Sequence, residues 1–203
     1  MEPFERHADR YDRWFEAHEE AYRSEVRALR RLVPTQTEGV EIGVGTGRFA
    51  SQLGIQTGLD PSDRMLQQAA DRGIDAVKGV AESLPFVDGA FDTALIVTTI
   101  CFVDDIEQTL RESRRVLRSD GQLVIGFIDK GSPVGRQYQA NKTENPFYTD
   151  ATFVTTDELV ERLKQVGFTE FEFTQTIFEH PTKLSTPDRV EDGHGEGSFV
   201  GIK

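Results

Sequence analysis

The sequence predicts an α/β fold in which helices cover both faces of a doubly wound, mostly parallel sheet. Three observations support this prediction. Short β-branched runs alternate with amphipathic stretches, which is the pattern of βαβ units. Residues 91–97 are nearly all apolar, as expected of a parallel strand buried on both faces. The last two predicted strands, 168–178 and 198–202, have no helix between them. They can therefore pair antiparallel at one edge of the sheet.

The other elements follow in order along the chain. Strands are predicted at residues 39–42, 55–59, 74–77 and 123–128. Residues 9–32 are charged, with apolar residues at helical spacing, and predict a helix that Pro34 ends. Further helices are predicted at 48–53, after Pro61 or Ser62, from Asp104 or Asp105 to Leu117, and at 156–166 between a Thr155 or Thr156 cap and Gly167. Residues 129–154 are polar and aromatic, and we expect an irregular insertion there.

Composition limits the kind of protein. A chain of 203 residues with 37% hydrophobic residues predicts a single domain, and no apolar run is long enough to span a bilayer. No secretory signal is recognisable at the N-terminus, so we expect a cytoplasmic protein without membrane contact. The net charge of −12 disfavours a nucleic-acid partner. A lone cysteine, Cys101, excludes an internal disulfide, and the four histidines lack zinc-site spacing, so no metal is expected.

A glycine loop follows the first strand. Gly43, Gly45 and Gly47 alternate there, and glycine permits a positive φ and close approach of a ligand to the backbone. The helix that follows offers free amides to an anionic group, and Glu41 could bind a cationic amine directly or through water. The alternative is a glycine-rich turn that binds no ligand. Because position 48 is Arg, the dinucleotide-binding fingerprint is not met.

Asp60 ends the second predicted strand. A carboxylate at this position can bind both hydroxyls of a ribose, as acidic residues do in dinucleotide folds. Alternatively, Asp60, Pro61 and Ser62 form an ordinary helix-capping turn. The two roles are compatible, and with the glycine loop so close in sequence we favour ribose binding.

The segment 79–86 follows the third strand. The backbone amide of Ala81 could meet an adenine edge, with Val80 and Met65 as apolar walls. The alternative is a surface loop that Leu84 and its apolar neighbours anchor in the core. This segment alone favours neither interpretation.

Together, five motifs in this order resemble the class I methyltransferases, in particular the ubiquinone/menaquinone-biosynthesis-like branch of small-molecule enzymes. The resemblance covers about residues 39–128, in the runs 41–47, 58–62, 81–86, 91–92 and 115–123. It implies a seven-stranded, mostly parallel sheet with an antiparallel last strand, and S-adenosylmethionine as the cofactor. It also implies that Glu41 and the three glycines hold the methionine part, Asp60 the ribose, and Ala81 with Glu82 the adenine neighbourhood.

Two positions depart from the family pattern. Val80 stands where relatives often carry an acidic residue for the adenine amino group. Cys101 and Phe102 stand where many relatives carry a histidine pair, so no histidine mechanism can be carried over. We therefore name no catalytic residue. Thr98 and Thr99 follow the fourth strand and could orient an acceptor, although packing at the strand end explains them equally well.

Two segments could cover the site. Residues 1–34 form a predicted helical lid in which Tyr11 nears the cofactor, as an N-terminal Tyr often does in this superfamily; plain docking of the helix is the alternative. The insertion 129–154 carries aromatic residues at 138 and 147–148, and it is the candidate for acceptor recognition or else a variable surface loop. The cofactor-binding candidates are Tyr11, Glu41, Gly43, Gly45, Gly47, Asp60, Pro61, Met65, Ala81, Glu82 and Thr98.

The leading hypothesis is methyl transfer from S-adenosylmethionine to a small-molecule acceptor. The alternative is a non-catalytic protein that binds S-adenosylmethionine or S-adenosylhomocysteine as a sensor or partner subunit, since both need the same pocket. An NAD-dependent oxidoreductase is disfavoured by Arg48 and by the expected antiparallel strand pair.

Overall fold

The computed structural model describes residues 2–203 of the chain, and it contains eight strands and seven α-helices. The strands are β1 (Gly39–Ile42), β2 (Thr57–Asp60), β3 (Asp75–Lys78), β4 (Phe91–Val97), β5 (Leu117–Ile128), β6 (Phe173–Thr176), β7 (Glu191–Asp192) and β8 (Phe199–Ile202). The helices are α1 (Glu2–Ala17), α2 (Glu19–Leu29), α3 (Arg48–Leu53), α4 (Asp63–Asp71), α5 (Ile106–Val116), α6 (Pro133–Ala140) and α7 (Thr156–Val166). None of the helices in this part of the chain is long and apolar enough to cross a membrane.

All strands belong to one sheet with the order β3-β2-β1-β4-β5-β8-β6-β7. Strands β1 to β5 pair in parallel, whereas β8 lies antiparallel between β5 and β6. This confirms the predicted mostly parallel sheet with an antiparallel last strand. The sheet has eight strands rather than seven, because the two-residue β7 adds to its edge beside β6. The strand order reverses between β1 and β4, and ligands of such sheets bind at the carboxyl ends of the strands at that point.

Alternating side chains of the central strands pack into two cores. Ala94 and Ile96 of β4 face a core that includes Leu110 of α5 and Leu159 of α7. Leu95 and Val97 face the opposite core, which α2, α3 and α4 complete. This period of two, with both faces apolar, explains the continuous apolar run in the sequence. Helices therefore cover both faces, as predicted.

Side-chain caps determine where three of the predicted helices begin. Ser62 accepts a hydrogen bond from the Met65 amide, and Asp105 accepts one from the Gln108 amide. Thr155 forms a reciprocal capping box with Glu158. The capping positions predicted from local sequence are thus confirmed, and Ser62, Asp105 and Thr155 are the caps among the alternatives.

Three sequence-based expectations were wrong in detail. The N-terminal stretch is two helices that meet at His18, rather than one helix. The insertion is not irregular throughout, because Ser132 caps the amide of Gly135 and starts α6, and a 3-10 turn follows at Lys142–Glu144. The expected long strand 168–178 is limited to β6, since only four residues pair with β8 and Ile177 has a positive φ of 61°.

Candidate functional site

The glycine loop joins β1 to α3 in a conformation that depends on glycine. Gly43 and Gly45 have φ angles of +72° and +52°, which L side chains rarely adopt. A Cβ on Gly43 would lie 2.2 Å from Cγ2 of Thr99, so the loop packs tightly against the end of β4. A Cβ on Gly45 would meet only Tyr11, at 3.6 Å. The backbone at Gly45 is therefore open to a neighbouring ligand.

A cavity of about 500 Å³ lies beside this loop, at the carboxyl ends of β1, β2 and β4. We call it the glycine-loop cavity. Most of the predicted cofactor-binding residues line it, namely Tyr11, Gly43, Gly45, Asp60, Pro61, Met65, Ala81, Glu82 and Thr98. The fold thus brings together residues from α1, the glycine loop, the ends of β2 and β4, α4 and the segment after β3. This is the switch point of the sheet, where the topology places a ligand.

Two predicted residues lie outside the lining of this cavity. Gly47 is the N-cap of α3 and has a φ of +79°. Glu41 is 1% exposed, and its carboxylate accepts a hydrogen bond from the amide of Ala50 in α3. Its Oε2 has no hydrogen-bond partner among the residues described. Burial raises the pKa of Glu41 well above its usual range. Glu41 therefore supports α3 behind the loop, and its direct contact with a ligand stays a prediction.

Asp60 is 8% exposed, and it both organises the loop and faces the cavity. Its Oδ2 accepts a hydrogen bond from the Gly45 amide at 3.0 Å, and its Oδ1 accepts one from the Ser62 amide at 2.9 Å. Burial raises the pKa of Asp60, and these two backbone hydrogen bonds oppose that effect. Each carboxylate oxygen has a second lone pair, so Asp60 can still accept hydrogen bonds from a ligand. The turn-forming role and the predicted ribose-binding role are therefore compatible.

The segment after β3 forms one wall of the glycine-loop cavity. Glu82 connects this segment to the start of α5, because Oε1 of Glu82 accepts hydrogen bonds from the amides of Asp104 (2.8 Å) and Asp105 (3.3 Å). Val80, which replaces the family's acidic residue, is 40% exposed and pairs with Ser83 in an isolated bridge. An adenine group at this wall would therefore meet backbone groups and apolar side chains, with no carboxylate at position 80.

Helix α1 is anchored to the glycine loop by Asp12. The Thr46 hydroxyl donates a hydrogen bond to Asp12 at 2.7 Å, and the guanidinium groups of Arg48 and Arg72 bind both carboxylate oxygens at 2.5–3.1 Å. Burial would raise the pKa of Asp12, but these hydrogen bonds and charges outweigh burial and lower it. Arg48, which excluded a dinucleotide site in the sequence, is thus part of the attachment of α1. The sequence offered no local signal for this network, because its members lie far apart in the chain.

A second cavity of about 190 Å³ adjoins the first, and we call it the aromatic cavity. Its aromatic lining residues are Phe4, Tyr11, Trp14, Phe15, Phe102, Phe127, Tyr138, Phe147, Tyr148 and Phe153. They come from α1, β5, α6 and the segments after β4 and α6. The predicted acceptor-recognition insertion contributes Tyr138, Phe147 and Tyr148, whereas Arg136 and Gln137 are exposed outside the lining.

The two cavities share Phe4, Tyr11, Thr98, Phe102 and Phe147 in their linings. Thr98 has an unusual positive φ of 49° at the end of β4, and its amide donates a hydrogen bond to the Gly126 carbonyl at 2.7 Å. Burial raises the pKa of Tyr11 well above its usual range, although a hydrogen bond with Thr98 opposes it. Tyr11 and Thr98 therefore form a neutral, hydrogen-bonded pair at the junction of the two cavities.

Other polar residues near this junction have supporting roles. The Thr99 hydroxyl donates a hydrogen bond to the Gly43 carbonyl at 3.1 Å and so supports the glycine loop. Cys101 lines the aromatic cavity, but burial raises the pKa of its thiol to about 12, which disfavours a thiolate nucleophile. His194 packs against the Phe173 ring at the sheet edge and lines neither cavity.

One buried group in this region gives no signal of its burial in the sequence. Glu25 of α2 is 4% exposed and lines the aromatic cavity. In the sequence it lies in a charged, helix-prone stretch, where a Glu is typical of a solvent-exposed helix face. Its burial follows only from how α2 packs against the rest of the fold.

Comparison with known proteins identifies relatives over the whole chain. Residues 40–125 match a family model described as a methyltransferase domain. An uncharacterized protein of Methanocaldococcus jannaschii is 42% identical over 202 residues, which cover 100% of this chain and 98% of that protein. The demethylmenaquinone methyltransferase of Thermotoga maritima is 31% identical over 184 residues, with 75% of this chain and 79% of that enzyme covered.

One solved structure is similar over nearly its full length. It is a Thermotoga maritima S-adenosylmethionine-dependent methyltransferase, described as a possible histamine N-methyltransferase. The two chains are 49% identical and superpose with a TM-score of 0.96, and the match covers 98% of this chain and 96% of the other.

Proposed function

Because the chain belongs to the class I, S-adenosylmethionine-dependent methyltransferases, we propose that it is an active enzyme that transfers a methyl group to a small-molecule acceptor. The cofactor is S-adenosylmethionine. The observation that carries the proposal is the pair of adjoining cavities. One lies on the glycine loop and Asp60, the other is aromatic, and they meet at Tyr11 and Thr98.

The glycine-loop cavity has a volume of about 500 Å³ and hydrogen-bonding groups that would suit the cofactor. Gly45 has no side chain between its backbone and the cavity, and Asp60 keeps acceptor capacity toward it. We assign Asp60 to the ribose hydroxyls and the backbone of Gly43 and Gly45 to the methionine end. Met65 and the Ala81 backbone would flank the adenine. Glu41 would act on the methionine end indirectly, through the loop that it supports.

Acidic side chains outnumber basic ones in the lining of this cavity. They are Glu5, Asp60, Asp63, Glu82, Asp104 and Asp150, and the one lysine there, Lys78, pairs with Asp63 at 2.6 Å. S-adenosylmethionine carries a net positive charge because of its sulfonium, whereas the product S-adenosylhomocysteine does not. The negative potential of the cavity therefore favours the substrate form of the cofactor over the product.

The residues of the chain act mainly by positioning and by excluding water. Bound cofactor supplies an activated methyl group on its sulfonium, so the protein need only align the acceptor with it. Tyr11 and Thr98 line both cavities and would set that alignment. Phe4, Phe102 and Phe147 enclose the same junction with apolar surface and keep water out.

Helix α1 would act as a cover over the site. It contributes Phe4 and Tyr11 to both cavities, and the Asp12 network attaches it to the glycine loop. The insertion after β5 closes the other side of the aromatic cavity through Tyr138 and Tyr148. Together, the two segments enclose a volume that suits a small molecule. This volume and the net charge of −12 both support a small acceptor rather than a nucleic acid.

Two measurements test the proposed function. Calorimetry should show one-to-one binding of S-adenosylhomocysteine and no binding of NAD. Asp60→Ala should weaken binding, whereas the control Asp71→Ala, at an exposed position on α4 outside both linings, should leave it unchanged. Labelled S-adenosylmethionine should then transfer its methyl group to a component of a metabolite extract, identified by mass spectrometry. Cofactor binding without transfer to any acceptor would favour a non-catalytic binding protein.

A further inference from the structure

Glu25 is a buried carboxylate that has no partner among the described side chains. Its side chain is 4% exposed, and no hydrogen bond or ion pair among residues 3–203, whose side chains the structure describes, involves its carboxylate. Its neighbour Ser24, by contrast, binds the Glu20 carbonyl and the Asp188 amide through its hydroxyl. Buried carboxylates are normally paired, because an isolated buried charge is costly. Burial raises the pKa of Glu25 to about 8, consistent with this isolation.

The groups that face Glu25 across the aromatic cavity are mostly neutral. Tyr11, Tyr138, Tyr148 and Cys101 line the cavity from α1, α6 and the two loops, and burial raises the pKa of each. Arg10 is the cation among the described residues of the lining, and its guanidinium lies 5.9 Å from the centre of the Phe147 ring. Arg10 is exposed at the cavity wall and forms no ion pair with Glu25 in the described part of the chain.

Aromatic faces and one carboxylate are the combination that binds organic cations. The ring quadrupole attracts a cation to the face of Trp, Tyr or Phe, and the attraction strengthens where water is excluded. A carboxylate in the same enclosure supplies the matching charge. A neutral acceptor such as an alcohol offers no counter-ion and leaves Glu25 protonated, whereas an ammonium group would stabilise the ionised carboxylate.

We propose that the methyl acceptor is a small amine, which binds the aromatic cavity as a cation with its nitrogen against the Glu25 carboxylate. This proposal rests on the proposed function and names its substrate class. It assigns Glu25 a catalytic role, because the carboxylate contacts the reacting group and accepts its proton.

The transfer step balances with the groups present. Glu25 accepts a proton from the bound ammonium, which leaves a neutral amine with a free lone pair. That lone pair forms the bond to the methyl carbon as the bond from methyl to sulfur breaks, and the electron pair of the broken bond stays on sulfur. The products are a methylated ammonium ion and S-adenosylhomocysteine, and the proton on Glu25 leaves to solvent. A carboxylate with a raised pKa is suited to this exchange near neutral pH.

Binding of matched probes tests the charge preference. Protein saturated with S-adenosylhomocysteine is titrated with benzylamine, benzyltrimethylammonium and the neutral benzyl alcohol. We expect both cations to bind at least tenfold more tightly than the alcohol, and Glu25→Gln to abolish this preference. The matched control Glu20→Gln changes a Glu on the same helix that lines neither cavity, and it should keep the preference. The proposal would be overturned by any of three results: the alcohol binds as tightly as the cations, Glu25→Gln keeps the wild-type preference for cations, or neither cation binds.

The pH profile tests the proton transfer. With benzylamine as acceptor, methylation by Glu25→Gln should be at least tenfold slower than by wild type near neutral pH. This difference in methylation rate should become smaller at high pH, where the amine loses its proton to solvent. A ratio of wild-type to variant rates that stays constant across pH would contradict the role of Glu25 as the base. Binding of S-adenosylhomocysteine by each variant separates the two proposals. If S-adenosylhomocysteine does not bind, the proposed function fails. If it binds but the protein does not discriminate among the three probes, only the amine assignment fails.

Discussion

Replacing Glu25 by Gln should make the free protein more stable, and the gain should grow with pH. The side chain is 4% exposed and lacks a partner in the described part of the fold, so its ionised form is penalised only in the folded state. Gln has nearly the same size and cannot ionise. The substitution therefore isolates the effect of the charge.

The magnitude follows from the pKa of Glu25, which burial raises from 4.5 to about 8. Each pKa unit corresponds to about 1.4 kcal/mol. Below pH 4.5 the group is protonated in both states, and the wild type keeps its full stability. Between pH 4.5 and about 8 only the unfolded state ionises, so stability falls as pH rises. Above that window the loss levels off at roughly 5 kcal/mol.

Denaturant unfolding of wild type and Glu25→Gln at a series of pH values from 4 to 9 measures this difference. The other titrating groups are shared by the two proteins and cancel in the subtraction. The free energies of unfolding should agree near pH 4.5 and diverge to about 3 kcal/mol at pH 7 in favour of the variant. A difference that does not change with pH, or a less stable variant at pH 8, would refute the description of Glu25 as an unpaired buried carboxylate.

Three further predictions follow from the loop, the cofactor cavity and the cover helix. Asp60→Ala should weaken S-adenosylhomocysteine binding tenfold or more in calorimetry, on the order of 1.5–3 kcal/mol for a lost charged hydrogen bond; unchanged affinity in a folded variant would exclude the ribose role. Gly43→Ala should destabilise the protein by roughly 3 kcal/mol or more in thermal unfolding, because the new Cβ adds strain at a positive φ and clashes with Thr99. The control Gly54→Ala, at a similar φ but with open space around it, should cost about 1–2 kcal/mol. Asp12→Ala should cost about 3 kcal/mol, because it removes the carboxylate that Arg48 and Arg72 share. The substitution should also speed proteolysis within α1 while the sheet stays protected; equal cleavage of wild type and variant would argue against this anchor.

Much of the fold could be predicted because its signals are local. The caps Ser62, Asp105 and Thr155 each bind an amide three residues further along the chain. The buried strand β4 shows its two-sided packing in its own composition. The long strand predicted at 168–178 failed because of a long-range partner: β6 is short because β8 offers only four residues to pair with. Strand β7 was not predicted, because two residues are too few to show a periodic pattern.

The candidate cofactor site could also be predicted in large part. Gly43, Gly45 and Asp60 line one cavity because parallel strands place their carboxyl ends at one edge, so residues after successive strands converge. The placement of Glu41 behind the loop could not be foreseen. It depends on α3 folding back over β1 and presenting the Ala50 amide to the carboxylate.

The sequence alone therefore determined the class of fold, the starts of α4, α5 and α7, and the cofactor, since each depends on residues close together or on motifs in a required order. Only the tertiary structure showed that Asp12 binds two arginines and that aromatic residues from distant segments enclose a second cavity. The same is true of Glu25, which resembles a surface residue in sequence but is buried against that cavity. Whether a charged side chain is exposed, paired or isolated depends on elements tens of residues or more away in the chain, as the Asp12 pairs with Arg48 and Arg72 show, and no local pattern encodes their positions.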